Sequence, residues 1–205
     1  VSEWQKKEKI TKTRLTLWGL LSDLEEYIPV SNGADDILEQ IEAIRTDRLL
    51  LHEPDLIEPV MARISDFLKN LLNDAKNKFL DVYRKNMDEL QANEYFKKLI
   101  PEQKHAILHK HQLLSKPEIK ELDAKGINNE LKNTSLDQWQ TKISALPEQF
   151  RAALEEAMRM AVPDAHSYRL PKQTIVNATE LDTYLEKVKQ EIKALLDSGQ
   201  SVILK

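Results

Sequence analysis

From Pro54 to Leu90 the chain runs for 37 residues without a glycine, and Pro59 is the single proline inside that run. Ile57, Met61, Ile64, Leu68, Leu71, Ala75, Phe79 and Val82 recur along it at three- and four-residue steps. Such spacing gathers apolar side chains on one stripe of an α-helix. At 1.5 Å per residue the helix is about 55 Å long. A stripe of that length cannot be left in water, so the fold must lay other helices along it. Pro54 suits a first helical turn. Pro59 either kinks the helix or marks its true start.

The flanking sequence supplies those partners. Residues 2–28 read as a helix with Ile10, Leu17, Leu21, Leu24 and Ile28 on one face, ended by Pro29 and the Ser31–Asn32–Gly33 cluster. A second helix follows from about Ala34 to Leu51, with Ile37, Ile41 and Ile44 on its stripe. The short link predicts an antiparallel hairpin. Pro101 and Pro117 bracket a short helix carrying three histidines, and residues 117–132 read as another, interrupted near Gly126. Ser135 and Gln138 have capping-box spacing at the head of a helix striped by Trp139, Ile143 and Leu146. Pro147 breaks or kinks it before Phe150, Leu154 and Met158 resume the pattern. Beyond Pro163, Tyr168–Val176 reads as extended, with Pro171 confining it to an edge strand or a loop. Thr179 and Asp182 open a last helix with Leu181, Leu185, Val188, Ile192 and Leu195 on its face. Gly199 ends it, and Ser201–Leu204 is a short apolar run that either pairs with Leu170–Val176 in a small sheet or forms none. The expectation is a mainly α protein: a helical bundle over 1–163, then an extended segment, a capping helix and a short strand over 164–205.

Composition agrees with helix and excludes much chemistry. The 205 residues include 4 glycines where average usage gives about 14. Glycine is costly inside helices but indispensable in phosphate loops and tight β-turns. Gly33, Gly126 and Gly199 fall at proposed helix ends or breaks, whereas Gly19 lies inside the first helix beside Trp18 and reads as a close packing point or a bend. No Gly-x-x-x-x-Gly-Lys-Ser/Thr phosphate loop is present. There are no cysteines, so disulfides, thiolate zinc sites and cysteine nucleophiles are excluded, which suits a cytoplasmic protein. The net charge of −4 argues against wholesale binding to nucleic acid. No uncharged apolar run approaches the roughly 20 residues needed to cross a bilayer, and no signal-peptide pattern is found. The chain begins at Val1 and already reads as charged helix, as expected of a piece of a longer protein.

Two features invite chemistry. His105 and His109 lie one helical turn apart, as two metal ligands on a helix would, followed by His111. The zinc-protease pattern places a glutamate directly after the first histidine, and here Ala106 stands there, so a third ligand would have to come from elsewhere. The stretch 97–125 holds seven lysines (Lys97, Lys98, Lys104, Lys110, Lys116, Lys120 and Lys125) against the four acids Glu102, Glu118, Glu121 and Asp123. It reads as a surface for DNA phosphates or for a protein partner, or as a solvated face. No aromatic residue is interleaved after Phe96 to stack bases. Adjacent acid pairs such as Asp35–Asp36 diverge by about 100° on a helix and build no site. Trp4, Trp18 and Trp139 fall on or beside apolar stripes and are expected in the core, with an exposed interface position as the alternative for Trp4. Neither catalytic nor cofactor-binding residues emerge.

Leu51–Val60 (LHEPDLIEPV), Pro101–Leu114 (PEQKHAILHKHQLL) and Leu136–Phe150 (LDQWQTKISALPEQF), together with Tyr168–Thr174 (YRLPKQT) and Ser201–Lys205 (SVILK), resemble the C-terminal part of the BREX phage-defence P-loop proteins, the large BrxC/PglY-like ATPases. The likeness runs over nearly the whole chain and rests on no mechanistic motif. It implies a large cytoplasmic bacterial AAA+ parent that binds ATP and Mg²⁺ through a P-loop outside this chain. It also implies work alongside a PglZ-type phosphatase-domain protein, a DNA adenine methyltransferase and small BREX factors. No catalytic residue carries over. Under this resemblance the chain is a non-catalytic helical module for assembly or for transmitting nucleotide state, with self-association also open. A DNA-contacting module is the alternative.

Overall fold

The computed structural model describes residues 2–29, 33–162 and 166–204. The turn expected at Ser31 and Asn32 and the boundary at Pro163 lie outside them. The protein is mainly α, with eight α-helices among the described residues. They are α1 (Glu3–Glu25), α2 (Asp35–Thr46), α3 (Ile57–Ala92), α4 (Glu94–Lys98), α5 (Pro101–Lys110), α6 (Ala124–Asn133), α7 (Leu136–Ala161) and α8 (Ala178–Asp197). Two three-residue strands, β1 (His166–Tyr168) and β2 (Val202–Leu204), flank α8.

Helix ends follow side-chain chemistry that satisfies otherwise orphaned amides. Ser2 and Gln5 form a reciprocal capping box on α1, at 3.3 and 3.0 Å. Ser135 and Gln138 do the same for α7, at 3.0 and 3.2 Å, as their spacing predicts. For α8 the cap is Asn177 and not Thr179: its Oδ1 accepts from the Glu180 amide at 2.9 Å. Both residues are hydroxyl or amide caps by type, and Asn177 lies at the residue where the backbone leaves the extended conformation. α2 ends at Thr46, short of Leu51, because Arg48 adopts a left-handed conformation (φ 57°) and starts a separate 3₁₀ turn at Leu49–Leu51. α3 begins at Ile57, so Pro54 lies before the helix and Pro59 sits in the first turn, where its missing N–H costs no helical bond. Residues 116–123 form no helix. α6 starts only after Asp123, whose carboxylate accepts from the Gly126 amide at 2.8 Å. Pro147 stands inside a continuous 26-residue α7.

The described chain gathers into two compact units. One comprises Val1–Tyr83 with Lys116–Leu146, the other Arg84–Ser115 with Pro147–Lys205. This division differs from the sequential one at residue 163 because α3 and α7 each contribute to both units. In the first unit Leu21, Leu24, Ile41, Ile57, Ile64, Leu68, Ile127 and Leu131 are fully covered. Phe79 meets the edge of Trp139 at 5.8 Å between ring centroids, a T-shaped contact. In the second unit Leu90, Phe96, Ile107, Leu113, Phe150, Ala153 and Ala157 are buried.

The β element takes a different form from the one expected. Val202–Leu204 pairs with His166–Tyr168 rather than with Leu170–Val176, in parallel, with His166 opposite Val202 and Tyr168 opposite Leu204. Parallel strands need a long crossover, and the 20 residues of α8 provide it. Gly199 turns the chain out of α8 with φ +80°, a backbone that L side chains rarely adopt. Gly19 is neither a close packing point nor a contact: a Cβ there would meet nothing within 4 Å.

Candidate interaction surface

A stretch rich in exposed apolar side chains lies after α7. Among the described residues, seven of the fifteen large apolar side chains left exposed fall between residues 170 and 204: Leu170, Ile175, Val176, Leu181, Leu185, Leu196 and Leu204. Against them, Val188 is the one buried apolar side chain past Ala161 among the described residues. α8 carries its apolar residues at coiled-coil steps: Leu181, Leu185, Val188, Ile192 and Leu195. Such a face normally closes against a neighbour; here its first two leucines stay in solvent. Isolated exposed leucines are ordinary; what sets this stretch apart is how many exposed apolar side chains follow one another in sequence.

Tyrosines hold this segment in place. The Tyr168 hydroxyl donates to the Glu191 carboxylate, and the Tyr184 hydroxyl donates to the Pro171 carbonyl at 2.9 Å. The Glu191 carboxylate favours the neutral phenol and pushes the Tyr168 hydroxyl up to about 12. At the head of α8, Glu180 accepts from the Val176 amide at 3.0 Å, which fixes the extended approach to the helix.

The seven lysines do not collect in one unit. Lys97, Lys98, Lys104 and Lys110 belong to the second unit, and Lys116, Lys120 and Lys125 to the first. Most are engaged. Lys98 lies over the Tyr95 ring at 5.6 Å, Lys104 over Phe96 at 5.6 Å and Lys116 over Tyr83 at 4.9 Å. Lys110 pairs with Glu156 at 2.7 Å and Lys120 with Glu118 at 2.6 Å. Hydrogen bonding to these lysines holds both glutamates below the usual carboxylate range, with His111 adding to the effect on Glu156.

His105 and His109 are exposed on α5 with their rings stacked at 6.5 Å between centroids. His111, the C-cap of α5, turns instead to Glu156 at 2.8 Å. Among the described residues no three histidine or carboxylate side chains converge as a metal-binding group, so the pair gains no third ligand from them. The residues present do not fit the ATP and Mg²⁺ of the proposed parent either. The four glycines stand apart and none precedes a Lys-Ser/Thr pair; Gly33 and Gly199 serve left-handed turns.

Two cations among the described residues are buried outside every motif of the sequence. Arg14 reaches the Asp55 carboxylate at 3.0 Å, Glu53 at 2.9 Å and the His52 carbonyl at 2.9 Å. Lys76, buried within α3, pairs with Glu130 at 3.0 Å and donates to the Glu118 carbonyl at 3.1 Å. Each sits where its helix stripe calls for an apolar residue, between Ile10 and Leu17 and between Leu72 and Phe79 respectively. That misfit is the signal that finds them, since a basic residue on a buried face needs a partner.

No family model matches the chain, and neither a curated protein nor a solved structure matches it. No helix among the described residues is long and apolar enough to cross a membrane.

Proposed function

We propose that this chain is a non-catalytic helical module of a BREX anti-phage defence ATPase that docks partner proteins through its 170–204 surface. The parent's P-loop lies outside this chain, and the module couples to it. Its partners are other BREX proteins: the PglZ-type phosphatase-domain protein, the DNA adenine methyltransferase or the small factors. The observation that carries the docking reading is the run of exposed apolar side chains around α8. The BREX assignment rests on the sequence resemblance alone.

The DNA-contacting alternative draws less support. Its lysines divide between two units, and five of the seven are tied to a carboxylate or an aromatic ring. One experiment separates the readings. The purified chain is titrated by calorimetry with the purified PglZ-type protein and methyltransferase, and in parallel with duplex DNA across a salt series. Saturable binding to a protein partner supports the docking role. Binding to DNA alone, weakening steeply with salt, refutes it in favour of the alternative.

A further inference from the structure

A cleft of about 420 Å³ opens in the first unit, lined by Lys76, Pro117, Glu118, Lys120, Glu130, Thr134, Trp139 and Lys142. Its charges do not cancel: three lysines face two glutamates. Lys76 is matched by Glu130 and Lys120 by Glu118. Lys142 has no carboxylate among the described residues. It rests over the Trp139 ring at 5.0 Å and donates to the Thr134 hydroxyl at 3.2 Å. That bond uses the Thr134 oxygen as acceptor, leaving its O–H to donate elsewhere.

Two further donors are short of acceptors. Trp139 is 7% exposed, and its indole N–H is buried without a hydrogen-bond partner. Buried tryptophan N–H groups nearly always find one, and an orphan calls for an explanation. The Lys76 ammonium has three N–H groups and two acceptors, Glu130 and the Glu118 carbonyl. One uncompensated positive charge, the Thr134 hydroxyl and an apolar wall of Pro117 and Trp139 thus meet in one cleft, and the buried, unpaired indole N–H belongs to that wall's tryptophan.

The geometry points to a binding site for a single carboxylate in this cleft, held by Lys142 and the Thr134 hydroxyl beside Trp139. One negative charge neutralises the surplus. A phosphate dianion overshoots it and meets Glu118 and Glu130. The carboxylate belongs to an acidic side chain, a peptide C-terminus or a small free acid. This inference is independent of the docking role assigned to residues 170–204.

The test reads the indole N–H directly. In ¹⁵N-labelled protein the three indole signals, from Trp4, Trp18 and Trp139, are assigned with single Trp→Phe variants. The protein is then titrated at constant ionic strength with N-acetyl-aspartate amide (a side-chain carboxylate), N-acetyl-alanine (a C-terminal carboxylate), acetate, inorganic phosphate and chloride. A saturable shift of the Trp139 signal alone, with at least one carboxylate, is expected. Whichever carboxylate binds most tightly identifies the source. Lys142→Met is expected to weaken that binding about fivefold, the worth of one partly exposed charge. Lys125→Met, outside the cleft, is expected to leave it unchanged, and circular dichroism confirms that both variants fold. The inference is overturned by no saturable shift with any carboxylate, by equal movement with phosphate or chloride, or by equal losses in the two lysine variants.

Discussion

Arg14 offers the sharpest test of how the first unit is held together. Its side chain is 7% exposed, and it joins α1 to the loop ahead of α3 through Asp55, Glu53 and the His52 carbonyl. Asp55 does double duty, since its Oδ1 also accepts from the amide of Ile57, the first residue of α3, at 2.8 Å. In Arg14→Met the apolar stem is kept and the guanidinium removed. A charge-assisted bond to the 26%-exposed Asp55 is worth about 1.5–3 kcal/mol. The bond to Glu53, 75% exposed, adds only about 0.5 kcal/mol. The His52 carbonyl turns to water, because that residue is exposed. The expected loss is therefore about 3 kcal/mol. Asp55→Asn keeps the acceptor for Ile57 and removes the charge, so it should cost less than Asp55→Ala by about 1 kcal/mol, the worth of a helix-start bond. Urea unfolding followed by circular dichroism reads all three, with an unchanged slope showing that the denatured state is the same. In the double variant Arg14→Met/Asp55→Asn the losses should fall short of additive by at least about 1 kcal/mol. A neutral Arg14→Met, or fully additive losses, refutes the clamp.

Three further outcomes follow from single sites. Gly19→Ala should stabilise the protein by about 0.7 kcal/mol in the same urea assay, because the site is inside α1 and open space surrounds it. Gly199→Ala should destabilise the end of α8 by about 1 kcal/mol, seen as faster amide exchange there, because φ is +80°. Glu156 is held below its usual value of about 4.5, first by Lys110 and then by His111. A depressed carboxylate stabilises the fold above its unfolded pKa, and that contribution disappears as pH falls through the folded value. Hence Glu156→Gln should lower stability by up to about 1 kcal/mol at neutral pH, with the difference from wild type vanishing in acid below the glutamate range.

Helix positions were legible because apolar spacing dominates their burial: Ile57, Met61, Ile64 and Leu68 are buried as their stripe demands. Boundaries were less so. The left-handed Arg48 that closes off α2 has no glycine or asparagine to announce it. The β1–β2 pairing was half legible, for the apolar Ser201–Leu204 run announces one strand while its partner is set by where the α8 crossover returns the chain. Leu181 and Leu185 lie on the expected stripe of α8, but periodicity alone does not say whether a stripe faces the same chain or another. The Trp139 cleft was hidden for a different reason. Lys76 lies on α3, far in sequence from Thr134 and Lys142 at the α6–α7 junction and on α7, and only packing brings them to one wall. The lysine run misled in the opposite sense: neighbours in sequence, Lys110 and Lys116, belong to different units.

The docking account is tested most directly by binding of a purified BREX partner to Leu181→Glu/Leu185→Glu. Both leucines are exposed, so the variant should fold like wild type. Burying each leucine at an interface contributes about 1.5–3 kcal/mol. Affinity should therefore fall at least tenfold, with thermal stability unchanged. Undiminished binding by the folded double variant would contradict the assignment of the α8 face as the interface.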